Sequence, residues 1–369
     1  DLATAFVLRC LEFCAKGGST ALVTPQNWLF LTTYKNLRET LLLNRTWDMV
    51  ARLGPGAFET ISGHVVNVTL PLLSAATPGD DHLMSGIDVS AASRPEEKAA
   101  MLRGEQPAEI VVLPQKEQLK NPDAAVDFSC NVGRIRLGNY ANAIQGIGTG
   151  DLPRYLRCFW ELRVVTDDWQ YFQMTPQNTG FNGYVGVIHW EQGKGPLAQI
   201  GTARKGLQVF GKRGLAVAVT GSLKWSHFLG ARFDCTIGAI IPNRDSDLPA
   251  LVAFAEAPDF VEQVRAVDQA LSVTEANFLK VPFDLAHWRK VAAEKYPDGL
   301  PEPESDDPTQ WLFHGRPEAS IAPLHVAVAR LLGYRWPAET DENMRLSDRA
   351  RELVRRCDEI GRASCRERV

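Results

Sequence analysis

The segment from Gly17 to Leu73 limits the fold more than any other part of the chain. Ser19–Thr24 is a short apolar run behind Gly17-Gly18, as a buried parallel strand would be. Tyr34–Leu43 follows with helical spacing. Tyr34, Leu37 and Leu41 share one face, and Lys35, Arg38 and Glu39 are expected to turn away from it. Met49–Leu53 is a second short strand, broken by Gly54-Pro55-Gly56. Val65–Leu73 is apolar on both faces apart from Asn67 and Thr69, which suits a strand covered on both sides. The order strand, helix, strand, Gly-rich loop, strand belongs to an α/β sheet.

The chain is 369 residues long, enough for two or three domains. Its apolar and charged content is that of an ordinary globular protein, and no apolar run approaches a membrane span. The opening DLATAFVLRCLEFC is an amphipathic helix rather than a secretory leader, and reads as a truncation inside a domain. The seven cysteines form no CxxC and no Cys/His spacing suited to zinc, so no metal site is expected. Cys10 and Cys14, one helical turn apart, read as small core-facing residues. An odd count without a disulfide framework fits a reducing cytoplasm. The last stretch, EIGRASCRERV (359–369), reads as a translated sequencing adapter and is set aside.

Along the chain, Asp1–Lys16 forms the first helix, stopped by Gly17-Gly18. Phe58 follows Gly54-Pro55-Gly56-Ala57, a loop whose glycines free the backbone to aim a side chain. His64 nearby is expected to be structural. Residues 75–144 change to a polar, turn-rich insertion or linker, in which Pro95–Leu102 reads as a helix, Ala108–Pro114 as a strand and Lys116–Lys120 as a short helix or turn. Gln145–Leu162 opens a further domain. Its glycines fail the dinucleotide fingerprint because no strand–helix unit surrounds them, and Asp151 and Pro153 start a turn. Gln170–Asp234 is β-prone and Gly-punctuated, suggesting a small twisted or barrel-like sheet.

Within it, Gln192–Phe233 holds no Asp or Glu but does hold Lys194, Arg204, Lys205, Lys212, Arg213, Lys224 and Arg232. In a chain of net charge −4, this concentrates one sign in one segment. Trp190, Phe210, Trp225 and Phe228 interleave with it. Against a merely solvated basic face, the acid-free length and the aromatics favour phosphate contacts to DNA. Helices are expected over Leu248–Ala257, Phe260–Leu271, Phe283–Tyr296 and Pro323–Tyr334, with an acidic, Pro-rich linker at Pro297–Pro308 and a further helix from Asp341.

The words VTPQNWLF, LGPGAFETISGHVVNV, QGIGTGDLPRYLRCFWEL, KVPFDLAHW and DDPTQWLFHGRP are spread over most of the chain. Together they resemble the large adenine-specific DNA methyltransferases of phage defence (BREX and DISARM types) and of type IIG restriction–methylation. The resemblance implies an α/β fold: the C-terminal half of a Rossmann-like S-adenosylmethionine-dependent methyltransferase sheet, whose last strand is antiparallel to its neighbours, then a mixed α+β target-recognition domain. It implies boundaries at 1–74 for the half-sheet, 75–144 for the insertion, 145–336 for target recognition and 337–358 for the start of a helical region.

The family's Gly-rich cofactor loop and Asn/Asp-Pro-Pro-aromatic catalytic loop would lie upstream of Asp1. Asn27, Asn121 and Asn243 supply no substitute. The chain by itself is therefore expected to be inactive, a fragment of a protein that methylates a flipped adenine at N6. By resemblance, Phe6 lies where an aromatic walls the adenine of S-adenosylmethionine, with a core Phe as the equal alternative. Phe58 matches the aromatic that stacks on the flipped base. Thr149, Gly150, Asp151 and Arg154 match the entry to the recognition domain, touching DNA or shaping the junction. Arg204, Lys205, Lys212, Arg213 and Lys224 would bind DNA. The implied partners are double-stranded DNA and other defence-system subunits, with no membrane. A non-catalytic DNA-recognition module is the alternative, and a nicotinamide-dependent oxidoreductase is disfavoured because a basic β-domain, not a second nucleotide site, follows the half-sheet.

Overall fold

The computed structural model describes residues 2–59, 66–128, 135–162, 164–176, 184–268, 271–304, 322–340, 345–348, 350–352 and 354–356. His64, Val65, the DDPTQWLFHGRP motif and the 359–369 tail lie outside them. Packing divides the chain into two units. The first is Asp1–Leu137 with Glu262–Val273 and Lys280–Phe283, and the second is the remainder.

The first unit opens with α1 (Leu2–Phe13), which buries Val7 and Leu11. Next come β1 (Ser19–Ala21), β2 (Thr24–Pro25), α2 (Lys35–Asn44), β3 (Thr46–Gly54), β4 (Val68–Ser74), β5 (Leu83–Asp88), α3 (Pro95–Leu102) and β6 (Ile110–Pro114). The sheet order is β1-β4-β3-β5-β6, with β2 also on β4. The three expected segments thus share one sheet, and β4 runs antiparallel to both β1 and β3.

Three expectations differ. Ser19–Thr24 was expected as a buried parallel strand. Instead β1 pairs antiparallel to β4 at the end of the sheet order, with Ser19 and Ala21 exposed. Its run was too short to distinguish an end strand from a central one. Residues 75–144, read as insertion or linker, supply β5, parallel to β3, and β6, antiparallel to β5, so the sheet does not stop at residue 74. Third, Arg38 points inward and is fully buried. Its guanidinium donates to the carbonyls of Trp28 at 2.6 Å, Leu31 at 2.9 Å and Asp123 at 2.7 Å, and burial pushes its pKa down to about 10. It occupies the backbone acceptors of the turn after β2, which packs Trp28 against Trp47 with ring centroids 5.5 Å apart.

The second unit is built on two four-stranded sheets rather than one barrel-like sheet. Its strands are β7 (Ala141–Gln145), β8 (Leu156–Arg157), β9 (Trp169–Gln173), β10 (Gly186–His189), β11 (Gly214–Ala218), β12 (Trp225–Phe228), β13 (Arg232–Phe233) and β14 (Ile237–Pro242). One sheet runs β13-β9-β10-β8, with β13 parallel to β9, and the other runs β12-β11-β14-β7, all antiparallel. Short helical turns α4 (Leu152–Tyr155) and α5 (Pro196–Gln199) connect strands. Helices α6 (Leu248–Glu256), α7 (Pro258–Val267), α8 (Glu275–Phe278), α9 (Leu285–Lys295) and α10 (Pro323–Leu331) follow. Asp284 caps α9 by accepting from the His287 backbone at 3.0 Å. Among the described residues, no helix is long and apolar enough to cross a membrane.

Candidate nucleic-acid interface

The first candidate element is the loop after β3. Gly54 and Gly56 have φ of 63° and 69°, a region that side chains rarely enter, so the sharp exit from the strand depends on them. A Cβ on Gly56 would lie 2.8 Å from the Ser93 carbonyl, so the loop also needs glycine for close approach. Phe58 follows and is 42% exposed, a ring offered to solvent rather than folded into the sheet.

The root of this loop is held by a residue the sequence did not single out. Lys98 on α3 is 1% exposed. Its ammonium donates to the carbonyls of Leu53 at 2.7 Å and Val89 at 3.2 Å, and to that of Ala92. Leu53 immediately precedes Gly54. One buried cation thus ties the end of β3 to the chain that leaves β5. Burial pushes the Lys98 pKa down, with Asp88 and Glu97 opposing. A signal was present: Lys98 lies one helical turn from Met101 and Leu102, which pack on the apolar cluster around Leu53 and Val89.

Phe6 is 58% exposed, while Val7 and Leu11 of the same helix are buried, so it is not a core residue. The carboxylate that α1 carries is Glu12, already tied to Arg9 at 2.6 Å. A ribose-binding acid would have to come from elsewhere.

The basic segment belongs to the second unit, and its residues divide sharply. Arg204, Lys212 and Lys224 are exposed. Lys205 is exposed and donates to Gln145 at 2.6 Å. Arg213 is exposed but forms a two-pronged pair with Glu302, which raises the guanidinium pKa and lowers that of the acid. Arg232 is buried and leaves the surface tally altogether. Of the aromatics read as interleaved with these cations, Trp190, Trp225 and Phe228 are core residues, and only Phe210 is substantially exposed. Alternation of aromatic and basic residues in a β-rich stretch is also what strands with one buried face produce. Near the start of the unit, Thr149 is buried, while Arg154 is exposed with its guanidinium 5.3 Å from the Tyr155 ring centroid. Among the described residues, no three His, Cys, Asp or Glu side chains gather as metal ligands.

No family model matches the chain. It is 41% identical over 69 residues to the adenine-specific methyltransferase BrxX of Escherichia coli O9:H4 (strain HS), a match covering 19% of this chain and 6% of that protein. It is 37% identical over 71 residues to the adenine-specific methyltransferase PglX of Lacticaseibacillus casei (strain Zhang), covering 19% and 6%. The matches therefore take in a small part of those relatives' length. Among solved structures, the ATP-dependent type ISP restriction–modification enzyme LlaBIII bound to DNA overlaps 80% of this chain and 27% of its own, at 11% identity and a TM-score of 0.40. By sequence, the chain is a relative of the adenine-specific methyltransferases BrxX and PglX.

Proposed function

We propose that this chain is part of a site-specific DNA adenine-N6 methyltransferase acting in phage defence or restriction–modification, with S-adenosylmethionine as methyl donor. The observation that carries the reading is the 41% identity to an adenine-specific methyltransferase over 69 residues. The sheet order with an antiparallel β4 between β1 and β3 is consistent with it.

In this reading the two units divide the labour. The target adenine must leave the duplex before its amine can react. The half-exposed Phe58 ring, aimed by Gly54 and Gly56, receives the extruded base by stacking, which needs only a π-face. Arg204, Lys205, Lys212 and Lys224, with Arg154, neutralise phosphates of double-stranded DNA. Such contacts position the duplex and do not by themselves read sequence. The exposed Phe6 ring on α1 offers a face to the adenine of S-adenosylmethionine. Soluble, cytoplasmic residence and association with other defence subunits belong to the same proposal.

The test is transfer of a labelled methyl group to duplex DNA by the complete gene product, followed by identification of N6-methyladenine in the hydrolysate. Phe58→Ala should lower the rate and abolish the quenching of 2-aminopurine placed at the target position, while duplex affinity holds. DNA binding without methyl transfer would favour the second reading, a recognition module that does not catalyse. Absence of both activities would defeat the proposal.

A further inference from the structure

Arg232 is 6% exposed, and its placement is unusual for a buried cation. It sits in β13, beside Phe172 of the parallel β9. Its guanidinium carbon lies 4.2 Å from the ring centroid of Trp190 and 4.9 Å from that of Phe210. Nε donates to Gln170 Oε1 at 2.6 Å, but among the described residues the buried Nη1 has no hydrogen-bond partner. Among the described residues no carboxylate offsets the charge, and burial lowers the pKa to about 10. A buried charge with an unpaired donor is costly, and two ring faces offset only part of that. Native structures rarely keep such a group without a use for it.

The two covers differ. Trp190 is core, at 5% exposure, whereas Phe210 is 49% exposed. Phe210 lies on a short loop bounded by Gly206 and Gly211, with φ of 73° and 75°. This loop is seated on the turn before Arg232: the Gly211 backbone donates to the Gly230 carbonyl at 2.9 Å, and a Cβ on Gly230 would meet Gly211 Cα at 2.6 Å. The same loop and its flanks present Arg204, Lys205 and Lys212 to solvent. A polyanion drawn to those three side chains therefore arrives over Phe210.

We infer that Arg232 is a covered phosphate-binding residue: the Phe210 ring swings aside when DNA docks on this loop, and a backbone phosphate takes its place against the guanidinium. A planar guanidinium whose Nη1 still has a donor to spend suits a phosphate oxygen at a fixed angle, whereas an ammonium would meet it as a point charge. The inference rests on the proposal that this unit binds duplex DNA.

The test is fluorescence anisotropy of a labelled duplex with the purified complete gene product at several salt concentrations. The variants are Phe210→Ala, Arg232→Gln, Arg232→Lys and the double Phe210→Ala/Arg232→Gln. Removing the cover should tighten binding roughly tenfold, since one cation–π contact no longer has to be broken. Arg232→Gln should weaken binding and flatten the plot of log affinity against log salt by about 0.9, one phosphate contact. In the double variant the gain from Phe210→Ala should vanish. Wild-type affinity in Phe210→Ala, or a gain that persists without Arg232, would overturn the inference while leaving DNA binding intact. If the wild-type chain itself shows no salt-dependent binding, the functional reading falls and this inference with it. Should Arg232→Gln fail to fold by circular dichroism, Phe210→Ala alone and on the Arg232→Lys background decides. The gain must be present in the first and reduced in the second.

Discussion

Replacing Lys98 with Met keeps the aliphatic stem and removes only the ammonium that holds the root of the Phe58 loop. The side chain is 1% exposed, so the volume left by Nζ is not readily refilled by water. The carbonyls of Leu53, Val89 and Ala92 lose their shared donor. A buried acceptor left unpaired costs about 1–3 kcal/mol. The Val89 carbonyl keeps the Ala92 backbone N–H at 3.2 Å, so the losses fall on Leu53 and Ala92, and together they exceed the recovered desolvation of the amine, whose burial already pushes its pKa down. The net is a destabilisation of about 2–4 kcal/mol, or a fall in Tm of roughly 5–10 °C for the transition of the first unit. Lys98→Arg should recover little of this, because a planar fork does not fit a cradle shaped for a compact ammonium. Hydrogen exchange should locate the effect, with amides near residues 53–58 and 89–92 losing protection first. A Lys98→Met variant that melts within 1 °C of wild type would refute the reasoning, since it would mean these carbonyls have other partners at no cost.

Asp123 should make the first unit acid-labile. Burial pushes its carboxyl up, but a hydrogen bond from Thr32 at 2.8 Å and the Lys280 ammonium at 3.3 Å outweigh it, and the pKa is lowered. A lowered folded pKa means that its stabilisation is complete above the ordinary carboxylate value and is lost as pH falls through the folded one. Asp123→Asn should therefore destabilise by about 1–2 kcal/mol at pH 7, and the gap to wild type in denaturant titrations should close below about pH 4. In duplex titrations, Lys212→Ala should flatten the salt dependence by about 0.9, while Arg213→Ala should change it less, because Glu302 already neutralises that guanidinium. Trp225 is 5% exposed, so Trp225→Ala should cost about 3–5 kcal/mol in urea unfolding. A stable Trp225→Ala protein with weakened DNA binding would restore Trp225 as a surface stacking residue.

That the three segments share one sheet was legible because three apolar runs, a Gly-Gly stop and a Gly-Pro-Gly break are local signals, and the resemblance supplied the direction of the last strand, but not the order β1-β4-β3. The continuation of the sheet was legible only in part: Ala108–Pro114 reads as a strand, but nothing local announces β5 or joins either strand to β3. Both strands are short, and Leu83, Ile110 and Val112 are exposed, so their residues lack the continuous burial that announces a central strand. The loop carrying Phe58 could be found from its glycines, but the lysine that holds its root could not be found from charge alone. PEEKAAML reads as a solvated helix start, and only the position of Lys98 over Met101 and Leu102 tells it apart from Glu96 and Glu97.

The basic stretch teaches the same lesson in a form that bears on function. Composition counts Arg204, Arg213 and Arg232 as equal charges, but the structure gives them three different conditions. One faces solvent, one is neutralised by Glu302, and one lies against two rings with no counter-ion among the described residues. Coulombic attraction at a distance depends mainly on the first kind, which lies nearest an approaching polyanion, because a charge paired with a counter-charge contributes little to the field that steers it. Affinity after contact can depend on the third, because a guanidinium already stripped of water has no further desolvation to undergo when a phosphate arrives. Association rate and dissociation rate should thus be carried by different residues. Lys212→Ala should slow association and leave dissociation nearly unchanged, while Arg232→Gln should speed dissociation and leave association nearly unchanged. Stopped-flow measurement of both rates on one labelled duplex decides this, and equal effects of the two variants on association would show that burial makes no such division.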